Sequence, residues 1–206
     1  MTALAIEPLP GTMRSMPSYT VDDLFTLPEN GNQYQVFGGS LVMSPAPAPL
    51  HQVVADELRT LLSPLVKPHG ARAVTTVAIR VTDEDGPVPD ITVASAHEMR
   101  GITGAVPLTA VYTAVEVVSP SSAFLDRGTK PDLYAEAGIP CYWRVELTKS
   151  RKHEGPFPLI VVRVLEKDGS VRTVQGAAGE EHTFPLAVGP DTWIDVSLDP
   201  ADLDTL

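Results

Sequence analysis

The sequence predicts one mixed α/β (α+β) domain with a central mixed β-sheet flanked by helices. Three observations carry that expectation. Leu108 to Val118 is a nearly continuous apolar run, as in a strand buried on both faces. Val53, Val54, Leu58, Leu61, Leu62 and Leu65 recur at helical spacing. Strands and helices otherwise mix without the strict alternation of a doubly wound fold. At 206 residues, 43% hydrophobic and 20% charged, the chain is long enough for one sizeable core and unlike a disordered polymer.

The elements follow in order. Residues 1–18 hold Pro8, Pro10, Gly11 and Pro17 and read as a loose arm, which leaves 19–206 as the single domain. Thr20 ahead of Val21-Asp22-Asp23-Leu24 looks like an N-cap with acids in the first turn, so a short helix is expected to Leu27. Tyr34–Phe37 and Ser40–Met43 form an N-terminal hairpin about Gly38-Gly39. Three prolines between Ser44 and Pro49 enforce a loop, and the helix from Leu50 stops near Lys67-Pro68. Val74–Val81 and Val88–Ser95 read as strands, His97–Pro107 as a loop, and Leu108–Val118 as the buried strand. A helix then runs to about Ala137, with Gly138 to end it. Tyr142–Leu147 is the next strand, followed by a C-terminal hairpin about Asp168-Gly169 and a last strand or two around Trp193–Val196.

Composition excludes several classes. One cysteine, Cys141, allows neither an internal disulfide nor a cysteine-based zinc site. No stretch approaches the ~18 apolar residues of a membrane helix. The start lacks a basic region followed by an apolar core, so a cytoplasmic protein without membrane contact is expected. The net charge of −11 opposes broad, non-specific nucleic-acid binding but leaves room for a small basic site.

Three residues carry chemistry. Glu116 lies in the apolar run, where it would share a strand face with Tyr112, Ala114 and Val118. Burying an unpaired carboxylate is costly, so a buried ion pair, a strand end in water or a functional site must justify it. Asp90 follows Pro89, which suits a strand end where a carboxylate leaves the sheet, or an ordinary turn. Lys130 precedes Pro131, with Thr129 as a candidate cap. It would sit in a first helical turn, where phosphate is welcome, or be a solvated charge. Two acids from neighbouring strands can hold Mg²⁺ or Mn²⁺, and a lysine can orient water or neutralise developing charge. This is a constellation for phosphodiester hydrolysis.

The run Glu116-Val117-Val118-Ser119-Pro120-Ser121-Ser122, then Asp126-Arg127-Gly128-Thr129-Lys130, then Leu133 through Val145 resembles the Uma-two family of the PD-(D/E)xK, restriction-endonuclease-like superfamily. Tyr34–Gly39, Met43-Ser44-Pro45, His51 and Val88-Pro89-Asp90 match in order upstream. The resemblance covers roughly residues 18 to 148 and is specific because several motifs occur in order, whereas the last sixty residues match only weakly. It implies a restriction-endonuclease-like core and a metal-dependent endonuclease acting on nucleic acid, DNA before RNA, with a homodimer as the superfamily's habit. Asp90 would be the acid of the PD element and Glu116 that of the (D/E)xK element. The superfamily lysine is expected where Val118 stands, and Lys130 matches its migrated counterpart. Val117 would add its carbonyl to the metal shell.

Supporting roles are implied for His51, Ser119, Asp126 and Gln35. The family has Glu where Gln35 stands and an acid where Ser40 stands, so Gln35 lowers the negative charge if it nears the site. Glu57 occupies a place where superfamily members often carry an acid, although a solvated helix face also accounts for it. Tyr142-Trp143 reads as sheet core, and the basic cluster Lys149–His153 as a solvated loop. The competing reading is a non-catalytic interaction or regulatory domain on a nuclease fold, motivated by the −11 charge and Gln35.

Overall fold

The computed structural model describes residues 18–150 and 153–206. The expected N-terminal arm, except Ser18, lies outside them, as do Arg151 and Lys152 of the basic cluster.

Elements appear in the order β1 (Gln33–Phe37), β2 (Ser40–Ser44), α1 (Pro49–Val66), β3 (Ala71–Thr75), β4 (Ile79–Arg80), β5 (Ile91–Ser95), β6 (Val106–Pro107), β7 (Val111–Val118), α2 (Lys130–Glu136), β8 (Cys141–Glu146), β9 (Leu159–Leu165), β10 (Val171–Ala177), β11 (His182–Ala187) and β12 (Trp193–Leu198). The central sheet has the order β10-β9-β8-β7-β5-β3. It is mixed: β7 and β8 are parallel, joined by the crossover through α2, and the other neighbours are antiparallel. The β1–β2 hairpin turns at Gly38 and Gly39, whose φ of +51° and +72° suit a primed turn that needs glycine.

Both sheet faces are covered. Val54, Leu58, Leu62 and Val66 of α1 and Phe184, Leu186 and Val196 of the β11–β12 hairpin pack on one face, against Val115, Val117, Trp143 and Ile160. Tyr134 of α2 packs on the other, with Ala94, Ala114 and Tyr142. All eight residues of β7 are therefore buried, as its apolar run requires. Tyr142 and Trp143 are sheet core.

Several local expectations are corrected. Residues Val21–Phe25 form a single 3-10 turn, not a helix to Leu27. Asp23 accepts from both the Thr20 N–H (2.7 Å) and the Thr20 hydroxyl (2.8 Å), closing the turn on itself. The strand expected over 74–81 breaks at Thr76, which has φ +49°. Beyond the break, Ile79-Arg80 leaves the sheet and pairs in parallel with Val106-Pro107, inside the stretch expected to be loop. Strand β5 starts only after Asp90, because Pro89 has no N–H for a ladder. A register shift opposite Val93 and Ala94 leaves Tyr112 as an extra residue in β7. Tyr112 thereby turns to the α1 face, while Ala114 packs with Tyr134 and Tyr142, so Tyr112 does not share the face expected of it.

Leu58 is fully buried under α1 and Leu65 of the same helix is 38% exposed. Leu58→Ala is expected to cost about 2–5 kcal/mol in urea unfolding, against a few tenths for Leu65→Ala. Equal costs would contradict the orientation of α1.

Candidate active site

Asp90 sits just before β5, at the end of the buried sheet. The N–H of Val117 in β7 donates to its Oδ2 at 2.7 Å. His51, in the first turn of α1, places Nε2 3.3 Å from the same oxygen. The segment leading to Asp90 is held by Gln35, whose Oε1 accepts from the Val88 N–H at 3.0 Å. Two donors therefore converge on one oxygen of Asp90, and no described residue donates to Oδ1.

Glu116 in β7 is 2% exposed. Its Oε1 lies 2.8 Å from Lys130 Nζ and accepts from the Tyr134 hydroxyl at 3.0 Å. Here too both partners take one oxygen, leaving Oε2 without a donor among the described residues. Lys130 is equally buried and also lies 3.1 Å from Asp126 Oδ1.

The delivery of Lys130 differs from the expected helix start. Thr129 is helical and caps nothing, because Leu125–Thr129 form a π-turn that runs straight into α2. The Lys130 N–H bonds back to the Leu125 carbonyl, five residues earlier. Tyr142 of β8 fastens that turn by donating its hydroxyl to the Asp126 carbonyl at 2.7 Å. The turn presents Asp126 and Lys130 to Glu116 together, so Lys130 is neither a solvated charge nor a residue at a free helix end.

Two carboxylates, Glu116 and Asp126, thus flank one ammonium, and Asp90 stands in the same cleft. Burial raises the Glu116 pKa well above the usual carboxylate range, with Asp126 and Asp90 adding to the rise and Lys130 opposing it. Burial likewise raises Asp126 against the pull of Lys130. Burial alone would lower the Lys130 pKa, but Glu116 and Asp126 outweigh it and raise it. For His51, burial pulls the pKa down, yet the hydrogen bond and charge of Asp90 lift it above 6.5.

Asp90, Glu116, Lys130, His51, Gln35 and Ser119 line one cleft of about 230 Å³. Lys130 is the only lysine or arginine among its lining residues. Ser119 and Ser122 cap each other, each hydroxyl accepting the other's N–H at 3.1 Å, and so begin the helical segment that carries Asp126. Asp126 lies behind Lys130 rather than in the cleft wall. Glu57 is not brought in: it lies half-buried on α1 and accepts from the Thr205 hydroxyl at 3.5 Å. In the basic cluster, Lys149 pairs with Glu154.

Tyr134 and Tyr142 were the residues that sequence reasoning missed as part of the site. Tyr134 had a signal, since it stands four residues after Lys130 and must share its helix face. Tyr142 had none, because its bond to Asp126 depends on strand β8 lying beside β7.

The donor set fits a hard divalent cation. Asp90 and Glu116 each keep one oxygen free of donors, and a 2+ ion would offset the carboxylate excess. No group of three or more His, Cys, Asp or Glu side chains among the described residues would enclose a metal by itself. An ion here would need backbone carbonyl and water as well, which suits Mg²⁺ or Mn²⁺ better than Zn²⁺.

A family model described as "Uma2: Putative restriction endonuclease" matches residues 21–155. The crystal structure of a protein described as a putative nuclease belonging to DUF820, from Anabaena variabilis ATCC 29413, superposes with a TM-score of 0.66. The two chains are 18% identical, and the match covers 90% of this chain and 97% of that one. At that identity the likeness shows the fold. No curated protein matches the chain.

The His51–Asp90 pair gives a signed expectation. With metal removed by EDTA, the His51 imidazole should titrate above 6.5 by NMR, and lower in Asp90→Asn than in the wild type, because the hydrogen bond and charge that chiefly oppose burial are then gone. The stability this pair contributes is full below about 6.5, the unfolded value, and is lost as the pH rises through the folded value. A titration unmoved by Asp90→Asn would break the pairing.

Proposed function

The chain belongs to the Uma2 family, and we propose that it is a metal-dependent endonuclease hydrolysing phosphodiester bonds of nucleic acid, with DNA as substrate. The observation that carries this reading is the convergence of Asp90, Glu116 and Lys130 on one cleft from three separate elements. Asp90, Glu116 and the Val117 carbonyl would hold Mg²⁺ or Mn²⁺. When bound, such an ion polarises a phosphoryl oxygen and lowers the pKa of a bound water.

The chain's own residues then divide the work. The Val117 N–H and His51 occupy Oδ2 of Asp90 and so leave Oδ1 free for an ion. Tyr134 and Lys130 do the same for Glu116 through Oε1. Lys130 stays protonated between two carboxylates, so it serves as a fixed positive charge beside the scissile phosphate rather than as a proton acceptor. Gln35 stiffens the approach to Asp90 without adding a further negative charge. Two copies of the chain would cut two strands, and the reading places the enzyme in the cytoplasm.

The competing reading, a non-catalytic domain, is favoured by one observation: Glu116 already has Lys130 and Tyr134 as partners. Calorimetry with Mn²⁺ separates the two. The nuclease reading expects binding by the wild type that Asp90→Asn removes, together with Mg²⁺-dependent nicking of supercoiled DNA lost in Asp90→Asn and Glu116→Gln. No heat at millimolar Mn²⁺ in wild type and variant alike would leave the non-catalytic reading.

Lys130 also carries a stability expectation. Lys130→Ala strands two buried carboxylates and should cost about 3–5 kcal/mol in denaturant unfolding. Lys130→Met combined with Glu116→Gln should recover part of that loss, because the pair is then neutral. A stability-neutral Lys130→Ala would contradict the buried cluster.

A further inference from the structure

A second hollow, of about 240 Å³, adjoins the cleft. Gln33 and Val88 line both, so the two share a wall. The rest of the second hollow is mainly apolar, with Leu24, Phe25, Pro28 and Tyr34 among its lining residues, and Glu29, Asn32 and Thr76 supply its polar groups. We propose that this hollow receives a nucleobase of the substrate, adjacent to the phosphodiester at Asp90 and Glu116, with the base stacked on Phe25. The proposal rests on the nuclease reading and adds a substrate subsite to it.

Phe25 is 51% exposed, and no aromatic ring among the described residues lies against it. An aromatic ring with half its surface open beside polar groups suits a base, since every base offers a π-face. The cleft itself supplies one buried cation, Lys130, and the whole chain carries −11. Phosphate contacts alone therefore give little hold, and an uncharged surface next to the reacting bond must contribute.

The wall of the hollow is also tied to the site. Thr76 has φ +49°, an unusual conformation for a β-branched residue. Its N–H donates to the Asp90 carbonyl at 3.2 Å. A base pressed against Thr76 is thus one hydrogen bond from the residue that would bind the metal. Such a base must leave its stack to enter, as in enzymes that extrude a nucleotide.

The test uses the full chain with Mg²⁺ and a short DNA duplex whose cleavage position has been mapped with the wild type. Phe25→Ala should raise KM about tenfold with kcat little changed, and Phe25→Trp should restore it, as stacking tolerates any aromatic ring. An abasic site at the nucleotide beside the cut should raise the wild-type KM to a similar extent and add nothing in Phe25→Ala. Mn²⁺ affinity and the thermal midpoint of Phe25→Ala should stay at wild-type values. If the wild type cleaves but neither change alters KM, or their effects simply multiply, the subsite is overturned and the nuclease reading stands. If the wild type neither binds nor cuts the duplex, both fall together.

Discussion

The ion pair between Lys130 and Glu116 is the constraint from which most of the structure around the cleft follows. Two opposite charges are removed from water almost completely, at 2% exposure each. Such burial is tolerable only where geometry and extra hydrogen bonds compensate for lost hydration. Each neighbouring feature supplies part of that compensation. The π-turn at Leu125–Thr129 brings Asp126 to the same ammonium, and Tyr142 fastens the turn. Tyr134 adds a neutral donor to Glu116 from the next turn of α2. Asp126 and Lys130 stand four residues apart, so both side chains reach the same side of this segment and meet there.

The same cluster explains why strand β7 must lie at the centre of the sheet. A strand covered on both faces leaves no water to solvate Glu116, so its carboxylate stays ready to respond to a neighbouring cation. Asp90 is treated differently. It leaves the sheet just before β5 and remains partly open, with its orientation set by a backbone N–H from β7 and by His51 from α1. The two acids thus reach one cleft with unequal environments: one buried and raised in pKa, the other held at the rim. Three elements far apart in the chain fix them, which makes the relative placement of β5, β7 and α1 the quantity the fold protects.

Much of this was legible in the sequence, for identifiable reasons. Periodicity exposed α1, and a continuous apolar run exposed β7, because burial leaves a direct mark on residue type. Glycine pairs marked the first hairpin because only its turn geometry needs positive φ twice. Asp90, Glu116 and Lys130 stood out as charges in settings that do not favour charge. What stayed hidden depended on tertiary context. The bulge at Tyr112 inverts the face of one residue through a register shift that no local pattern records. The π-turn looked like a helix start because Thr129-Lys130-Pro131 satisfies the local rules for one. The pairing of Ile79-Arg80 with Val106-Pro107 joins two short segments across a loop, and two residues carry no periodicity. Glu57 looked like an acid of the site from its place on α1, but spacing alone cannot say that it faces Thr205.

An acidic chain acting on a polyanion is less contradictory than its net charge suggests. Non-specific affinity scales with the number of phosphates neutralised, and here the cleft offers a single lysine. Rate, by contrast, depends on charge placed where it develops in the transition state, and on the proposed reading the fixed ammonium of Lys130 beside Asp90 and Glu116 would meet that need. Arg127, from the same turn, is committed to Glu146 through bonds of 3.0 and 3.1 Å. The positive charge of this segment is thus spent on holding β8 and the π-turn together. On the proposed reading, nucleic acid would be held weakly through its backbone, and uncharged surface beside the reacting bond would supply the rest of the affinity. The acidity of the whole chain thus bears on how tightly a polyanion would be held, and the single buried lysine of the cleft on what would happen to it there.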